Sequence, residues 1–544
     1  MSREINIALA QINVVVGAIE NNVDQIIRFA EQARDELGAD LMVCSELVLT
    51  GYPPEDLLMR PGFNTRVEQQ LKRLCESVKD IDLIVGYPKK TDQGLFNIGA
   101  LIQGGEITHE YKKIKLPNYS VFDEKRYFLA GNEPCVIDYK DTLLGLTVCE
   151  DIWHDGPIED AVKDGAEIII NINGSPYHTN KIPERRDVVC ARARKNQTPV
   201  IYVNQIGGQD ELVFDGASFA TDKNGDVIHQ MASFEEGLSS VIVSYGDEIS
   251  LTGSENIPED EFHKSVYDAL VLGVRDYVKK NGFSGVVIGL SGGIDSALTT
   301  TIAVDALGPE NVDVIMMPFR YTSDISKEDA YEEAKALGIQ YHVISIEPMY
   351  DAFMQQLAPV FEGREADTTE ENIQARCRGL TLMAYSNKTG RMVLTTGNKS
   401  EMSVGYATLY GDMVGGYNAI KDVPKVLVYE LAKYRNTISP VIPERVITRE
   451  PSAELRPDQI DSDSLPPYEI LDPILELYVE HDCPPKEIVA KGFDEKYVSQ
   501  VIRMVDRNEY KRRQSAPGVR ITKRAFGRDR RYPITSGFRP KVDW

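Results

Sequence analysis

The sequence predicts an α/β protein of two domains, on three observations. The chain has 544 residues, and single cores stop growing at roughly 250–300 residues. Residues 1–245 alternate short apolar, β-rich runs with helical patterns. Beyond residue 262 a strand, a turn and a helix recur in that order, as a doubly wound parallel sheet requires.

In the first half the strand runs are INIALAQIN, LMVCSEL, DLIVGYP, LLGLTVCED, AEIIINING and VIYVNQIGG, with helical patterns at 21–37 and 183–196. EIIINI is apolar on both faces, as a strand buried between layers would be. GDEISLTGSENIPEDEF (246–262) is polar and holds Gly and Pro, which predicts a linker between domains at 1–245 and 263–544. The second domain opens with a helix at about 262–281. VVIGL (286–290) is a strand, SGGIDS a turn and ALTTTIAVDAL a helix, and VDVIMMP and YHVISI repeat the strand character.

Composition bounds the function. No apolar run reaches the roughly 20 residues a membrane helix needs. MSREINIALAQINVVVG lacks the shape of a signal peptide, which predicts a cytoplasmic protein. Seven scattered cysteines do not form a disulfide framework. A net charge of −24 disfavours a nucleic-acid partner. Residues 503–541 nevertheless hold thirteen Lys or Arg. Such a run is either a solvated face or a surface for a small phosphate-bearing ligand.

Three reactive residue types stand at or beyond strand runs in the first half. Glu46 ends LMVCSE, Lys113 lies in HEYKKIKLP, and Cys149 ends LLGLTVC before Glu150 and Asp151. Amide hydrolysis through a thiol needs a nucleophile, a base and a positive group for the oxyanion, and these three residues supply that set. Singly, each has an ordinary reading as a core thiol, a surface carboxylate and a solvated lysine. Together, Glu after a strand, Tyr111-Lys-Lys113-Ile-Lys-Leu116 and Cys149-Glu-Asp-Ile-Trp153 resemble the nitrilase superfamily over residues 4–245. The resemblance implies a four-layer α-β-β-α sandwich and a covalent thioester route. Cys149 would attack, Glu46 would take the thiol proton and later activate water, and Lys113 would hold the oxyanion with a backbone N–H near residue 150. Glu124 and Glu150 are both candidates for an auxiliary carboxylate. The resemblance also implies glutamine contacts at Tyr119, Ser175 and Lys181.

In the second half, Ser291-Gly292-Gly293-Ile294-Asp295-Ser296 follows a buried strand and opens a helix. Two glycines let the backbone approach a phosphate, and the helix start favours its charge. The closing GK[ST] of a Walker loop is missing. The stretch resembles the loop of N-type ATP pyrophosphatases, which adenylate a substrate oxygen. Glu371–Arg378, LTTGNKSE (394–401), Tyr410-Gly-Asp412, Lys425, EPSAELRPDQ and EYKRRQSAPG extend the resemblance to the NAD synthetases. The fold implied is a Rossmann-like doubly wound sheet.

That resemblance implies Mg²⁺ at Asp295 and Glu401. It implies phosphate contacts at Ser291, Ser296, Lys425 and Ser452, and ATP contacts at Arg376 and Thr396. Deamido-NAD contacts fall on Asn372, Arg378, Asp412 and Lys511. It further implies ATP as co-substrate, transfer of ammonia between sites, and a homodimer or larger homo-oligomer through the synthetase domain. Of Lys511, Arg512 and Arg513, one or two would face the dinucleotide and the rest solvent. Two rival readings are another amidotransferase or tRNA-modifying enzyme with the same loop, and a non-catalytic nucleotide-binding fusion.

Overall fold

The computed structural model describes residues 4–245, 249–457, 459–538 and 540–541. It divides into two compact units, Met1–Phe262 and His263–Trp544. Gly246–Glu248, in the stretch expected as a linker, and Arg539 of the basic run lie outside the described residues.

The first unit is built on two sheets. One runs, edge to edge, Ile249–Gly253, Gly237–Tyr245, Glu4–Gln11, Leu41–Val43, Asp82–Thr91, Gly94–Gln103 and Glu106–Lys112. The other runs Val227–Gln230, Phe219–Thr221, Val200–Asn204, Ile168–Asn173, Thr142–Val148 and Val136–Tyr139. Side chains alternate faces along a strand, and the cores follow that rule. Ile168, Ile170 and Ile172 meet Ile7, Leu9, Val43 and Ile84 between the sheets. Ile169 points the other way, onto Ala161, Val189 and Ala193 of helices Pro157–Lys163 and Lys181–Asn196. Ala8, Ala10, Met42 and Val85 of the first sheet face helices Ile19–Leu37 and Pro61–Ser77 on its outer side. The layers are therefore α-β-β-α. The stretch expected to be a plain linker contributes the edge strand Ile249–Gly253. Leu251 is buried there, and the polar residues alternate with it toward solvent.

The second unit carries a parallel sheet in the order Gln340–Val343, Val312–Met316, Val286–Gly289, Met392–Thr395, Tyr417–Asn418. The chain leaves the middle strand Val286–Gly289 in one direction and returns on its other side at Met392–Thr395. The crevice at such a reversal is where open α/β sheets bind ligands. The C-terminal stretch packs against this unit through a buried network. Lys399 Nζ donates to Glu480 (2.6 Å) and to Thr522 Oγ1 (2.7 Å). Asp422 accepts from the N–H groups of Ile521 and Thr522. All seven cysteines are free thiols.

Glu333, on helix Asp324–Leu337, is fully buried beside Thr301 of helix Ile294–Leu307. Its Oε1 accepts from the Thr301 hydroxyl at 3.4 Å, and Oε2 has no partner among the described residues. Burial, with repulsion from Asp329, pushes its carboxyl up to about 8. From the ordinary value of 4.5 up to about 8, the unfolded chain gives up this proton while the folded chain holds it. Stability present below that window is lost as pH rises through it. Glu333→Gln removes the titration, so it should stabilise the second unit by about 1–3 kcal/mol at pH 8 and far less at pH 5. Thermal denaturation at the two pH values checks this, and equal shifts at both would place the effect elsewhere.

Candidate functional site

In the first unit, Glu46 follows strand Leu41–Val43 and has no exposed surface. Its Oε1 accepts from Lys113 Nζ (2.7 Å) and Asn97 Nδ2 (2.7 Å), and its Oε2 from the Gly174 N–H (2.9 Å). Gly174 is required by this closeness, since a Cβ there would lie 2.9 Å from the Tyr52 ring. Lys113 follows strand Glu106–Lys112, and its Nζ also reaches Glu124 Oε1 (2.8 Å). Burial works against the lysine's charge, but Glu124 and Glu46 outweigh it and hold its pKa well above the usual value. Burial, opposed by Lys113, pushes the Glu124 carboxyl up to about 7. Tyr52 donates to Glu124 Oε1 at 2.8 Å, and Glu124 Oε2 has no partner among the described residues.

Cys149 starts the short helix Cys149–Trp153 with φ of +48° and is buried. Such a φ is uncommon outside glycine and marks a sharp strand-to-helix turn. Burial and the nearby Glu46 carboxylate push its thiol well above the ordinary value, against the pull of Lys113. The resting group is therefore a thiol with its base and its cation in electrostatic reach. Asp151 fastens this turn. It accepts from Lys115 N (2.8 Å), Ile114 N (3.2 Å), Val148 N (3.0 Å) and Tyr111 OH (2.9 Å). The Tyr111 and Lys113 stretch is thereby tied to Cys149.

The two candidate auxiliary carboxylates, Glu124 and Glu150, stand in different surroundings. Glu124 shares Lys113 with Glu46, whereas Glu150 accepts from Tyr119 OH (3.0 Å) and faces His154 Nε2 (2.9 Å). Lys181 Nζ stands 3.8 Å from the Trp153 ring centroid, and burial lowers its pKa. Ser175 Oγ lies 3.4 Å from Arg185 Nη2, and Arg185 makes a buried two-pronged pair with Asp215 (2.8 and 3.0 Å). Asn97, Gly174, Asp151 and Arg185 went unrecognised in the sequence. Asp151 had a signal in its place beside Cys149, while Asn97 and Arg185 had none.

In the second unit the Ser291–Ser296 turn leaves the central strand and opens helix Ile294–Leu307. Gly292 has φ of +81°, and a Cβ there would lie 2.2 Å from the Ser326 carbonyl oxygen. Ser291 and Ser296 hydroxyls are 3.0 Å apart, and Gly293 N–H donates to Ser291 Oγ (3.2 Å). Asp295 accepts from Asn398 Nδ2 (2.8 Å) and from the Lys425 ammonium. Glu401 lies 3.6 Å from that ammonium. Burial and the neighbouring Asp295 push the Glu401 carboxyl up to about 8. Burial disfavours the Lys425 charge, yet the two carboxylates raise its pKa. Among the described residues no group of three or more His, Cys, Asp or Glu is arranged to hold a metal ion.

Beside this cluster a cleft is lined by Leu290, Ser291, Met317, Arg378, Thr396 and Asp412. A second, lined by Asp295, Glu401, Lys425, Arg449 and Ser452, adjoins the loop. Arg378 donates to the Met317 carbonyl (3.2 Å), and burial lowers its pKa to about 10. Asn372 accepts from the Thr408 hydroxyl (2.9 Å), and Asp412 from the Thr408 N–H (2.7 Å). Arg376, expected at ATP, is exposed on the opposite side of its helix from Arg378 and donates to the Leu409 carbonyl (3.2 Å). Positions two apart on a helix face different ways, and of the two arginines Arg378 lines the cleft.

The basic stretch departs from expectation. Lys511 spends donors on the carbonyls of Gly405 (2.7 Å) and Ala407 (2.8 Å), holding the turn that leads to Asp412. Arg512 does not face solvent. It is buried, donating to Ser403 O (2.6 Å), Val505 O (2.6 Å) and Glu509 (2.9 Å). Arg512→Ala should therefore cost about 2–4 kcal/mol, by taking the donor from two buried carbonyls and the packing from Phe526, while Glu509 keeps Arg513 and Arg530. Arg513→Ala, at an exposed site, should cost about 0–1 kcal/mol. Denaturant unfolding of both variants tests the contrast, and equal losses would refute it.

Comparison with known proteins agrees with this division. Residues 6–249 match the carbon-nitrogen hydrolase family and residues 266–515 the NAD synthase family. A glutamine-dependent NAD(+) synthetase of Acinetobacter baylyi is 48% identical over 99% of this chain and 99% of its own. The chain belongs to the glutamine-dependent NAD(+) synthetases. The synthetase of that name from Thermotoga maritima is 43% identical, again over 99% of each chain. Among solved structures, the glutamine-dependent NAD+ synthetase from Acinetobacter baumannii in complex with adenosine diphosphate matches with a TM-score of 0.81. Its sequence is 46% identical, over 98% of this chain and 99% of that one. Synthetases of this family are ligases that form a C–N bond with glutamine as nitrogen donor, and ATP is a substrate of the reaction. No helix among the described residues is long and apolar enough to cross a membrane.

Proposed function

We propose that the chain converts deamido-NAD⁺, ATP, glutamine and water to NAD⁺, AMP, pyrophosphate and glutamate. The observation that carries this is the pairing, within one chain, of a buried Glu46–Lys113–Cys149 set with a phosphate loop flanked by Asp295, Glu401 and Lys425.

In the first unit, Cys149 Sγ attacks the glutamine carboxamide carbon as Glu46 takes the thiol proton. The high resting thiol pKa makes this transfer part of the attack. Lys113, kept charged by two carboxylates, meets the oxyanion. Glu46 returns its proton to the leaving ammonia and then activates the water that cleaves the thioester. Glu124, tied to Lys113 and Tyr52, is the auxiliary carboxylate that keeps the ammonium in place. Tyr119, Ser175 and Lys181 surround the glutamine.

In the second unit the deamido-NAD⁺ carboxylate attacks the α-phosphate, pyrophosphate leaves, and ammonia displaces AMP from the acyl adenylate. Ser291, Ser296, Lys425 and Ser452 hold phosphate oxygens, Thr396 serves the nucleotide cleft, and Arg378 in the same cleft reaches the dinucleotide. Asn372, Asp412 and Lys511 shape the dinucleotide side. Asp295 and Glu401 fit Mg²⁺, because hard carboxylate oxygens beside a phosphate loop are its usual protein donors, the rest coming from phosphate and water. When bound, Mg²⁺ supplies charge neutralisation on the phosphates. Ammonium has no lone pair to react, so ammonia must pass sheltered from water. We place the protein in the cytoplasm, where ATP and dinucleotide are available. A second copy would cover the apolar face of helix Glu347–Phe361, where Phe353 and Val360 stand exposed beside Leu380 of the next helix.

Incubation with deamido-NAD⁺, ATP and glutamine labelled with ¹⁵N at the amide tests the reading. NAD⁺ carrying the label, with AMP and pyrophosphate in equal amounts, is expected. ADP as the nucleotide product, or turnover of tRNA instead of deamido-NAD⁺, would overturn it.

A further inference from the structure

A cation outside those assigned above stands over the phosphate loop. Arg449 Nη2 lies 3.4 Å from the Gly292 carbonyl oxygen and 3.0 Å from Ser326 Oγ. Its side chain lines the same cleft as Gly293, Asp295, Lys425 and Ser452. These two oxygens fix one nitrogen and leave the other donors of the guanidinium fork for a ligand. The nearest carboxylate, Glu454, is 4.0 Å away and already engaged.

Glu454 explains how the arginine is held. Its backbone has φ of +49°, so the 449–457 loop turns sharply there. Its Oε1 accepts from Ser326 Oγ (2.8 Å) and Ser323 Oγ (2.9 Å), and its Oε2 from the Ser323 N–H (3.3 Å). Ser323 caps helix Asp324–Leu337, whose start favours a carboxylate. A hydroxyl has one hydrogen and two lone pairs. With the Ser326 hydrogen committed to Glu454, its lone pairs face Arg449. The same residue's carbonyl is the atom against which Gly292 packs. Ser326 is thus the joint through which the phosphate loop, Arg449 and the 449–457 loop keep one register. Gln374 pins the far side of that loop by donating to the Leu455 carbonyl (3.0 Å).

We propose that Arg449 binds the phosphates that leave as pyrophosphate, and that Glu454, through Ser326, is its positioning residue. This rests on the synthetase reading above and adds a phosphate ligand to it. An arginine fork suits this task because it offers two parallel charge-assisted bonds to phosphate oxygens.

The test uses ammonium as nitrogen source with the full-length chain. Arg449→Gln should raise the KM for ATP by about 10-fold or more, and raise the inhibition constant of added pyrophosphate in parallel. The KM for deamido-NAD⁺ should stay within about 2-fold, as a contact on the leaving phosphates predicts. Glu454→Gln replaces an acceptor by an amide N–H that faces the Ser323 N–H, so it should raise the same two constants by about 3–10-fold. The double variant should be no worse than Arg449→Gln, because both act through one guanidinium. Glutamine hydrolysis and melting temperature serve as folding controls. Additive losses in the double variant would overturn the positioning role. Unchanged ATP and pyrophosphate constants with a lowered melting temperature would overturn both parts. A wild-type chain that makes no NAD⁺ from ammonium would instead overturn the underlying synthetase reading.

Discussion

Cys149→Ala abolishes NAD⁺ formation from glutamine and leaves formation from ammonium near the wild-type rate. The expected loss in glutamine-dependent kcat/KM is at least ~10⁴-fold, because removing a covalent nucleophile removes the route itself. The thiol is the one nucleophile in the buried set, and its raised pKa means that no thiolate waits for substrate. Glu46 is held by Lys113, Asn97 and the Gly174 N–H, so it is oriented before glutamine arrives. Glu46→Gln and Lys113→Ala should therefore fail in the same way, and a double variant should lose little more than either single one. Lys113→Ala carries an added cost that Cys149→Ala does not. It leaves Glu46 and Glu124 as neighbouring buried carboxylates without their cation, so that variant should also melt several degrees lower. Parallel assays with glutamine and with ammonium decide the matter, and equal losses with both nitrogen sources would refute the division of labour.

Much of this architecture was legible because reactive groups sit at the ends of apolar strands. Glu46 and Cys149 each follow a buried apolar run, while Lys113 follows the mostly exposed strand Glu106–Lys112 and was legible from the pattern around it. The Ser291–Ser296 turn was legible for the same reason, since its glycines and serines lie between a buried strand and a helix. What escaped the sequence depends on contacts between distant segments. Asn97 reaches Glu46 across two strands, and Glu454 reaches Ser323 across 131 residues. No local pattern encodes either contact. The basic stretch misled for a related reason. A run of Lys and Arg reads as exposed because charge is costly to bury, yet Glu509 and backbone carbonyls satisfy Arg512 inside the second unit. The edge strand Ile249–Gly253 was hidden by alternation of polar residues with a single buried leucine, which composition alone reads as linker.

Asp295→Asn or Glu401→Gln removes synthesis with either nitrogen source, while glutamine hydrolysis in the first unit survives. Each change keeps the side chain's shape and removes a carboxylate oxygen from beside the phosphate loop. The expected loss is at least ~10²–10³-fold in ammonium-dependent kcat, the scale on which single charge-stabilising groups act in phosphoryl and acyl transfer. The two residues should separate in their effect on folding. Asp295 pairs directly with buried Lys425 and accepts from Asn398, so Asp295→Asn weakens a buried ion pair. Glu401 stands farther from that ammonium, at 3.6 Å, and shares its surroundings with a like charge. Relieving that repulsion means Glu401→Gln should melt at or above the wild-type temperature although it is inactive. A stable, inactive Glu401→Gln is the signature of a carboxylate kept for chemistry at the expense of stability. Melting curves without ligand, set beside ammonium-dependent rates across a Mg²⁺ series, measure both halves of the expectation. Full activity in Glu401→Gln would remove that residue from the proposed metal site. Loss of activity together with a large fall in melting temperature would make its role structural.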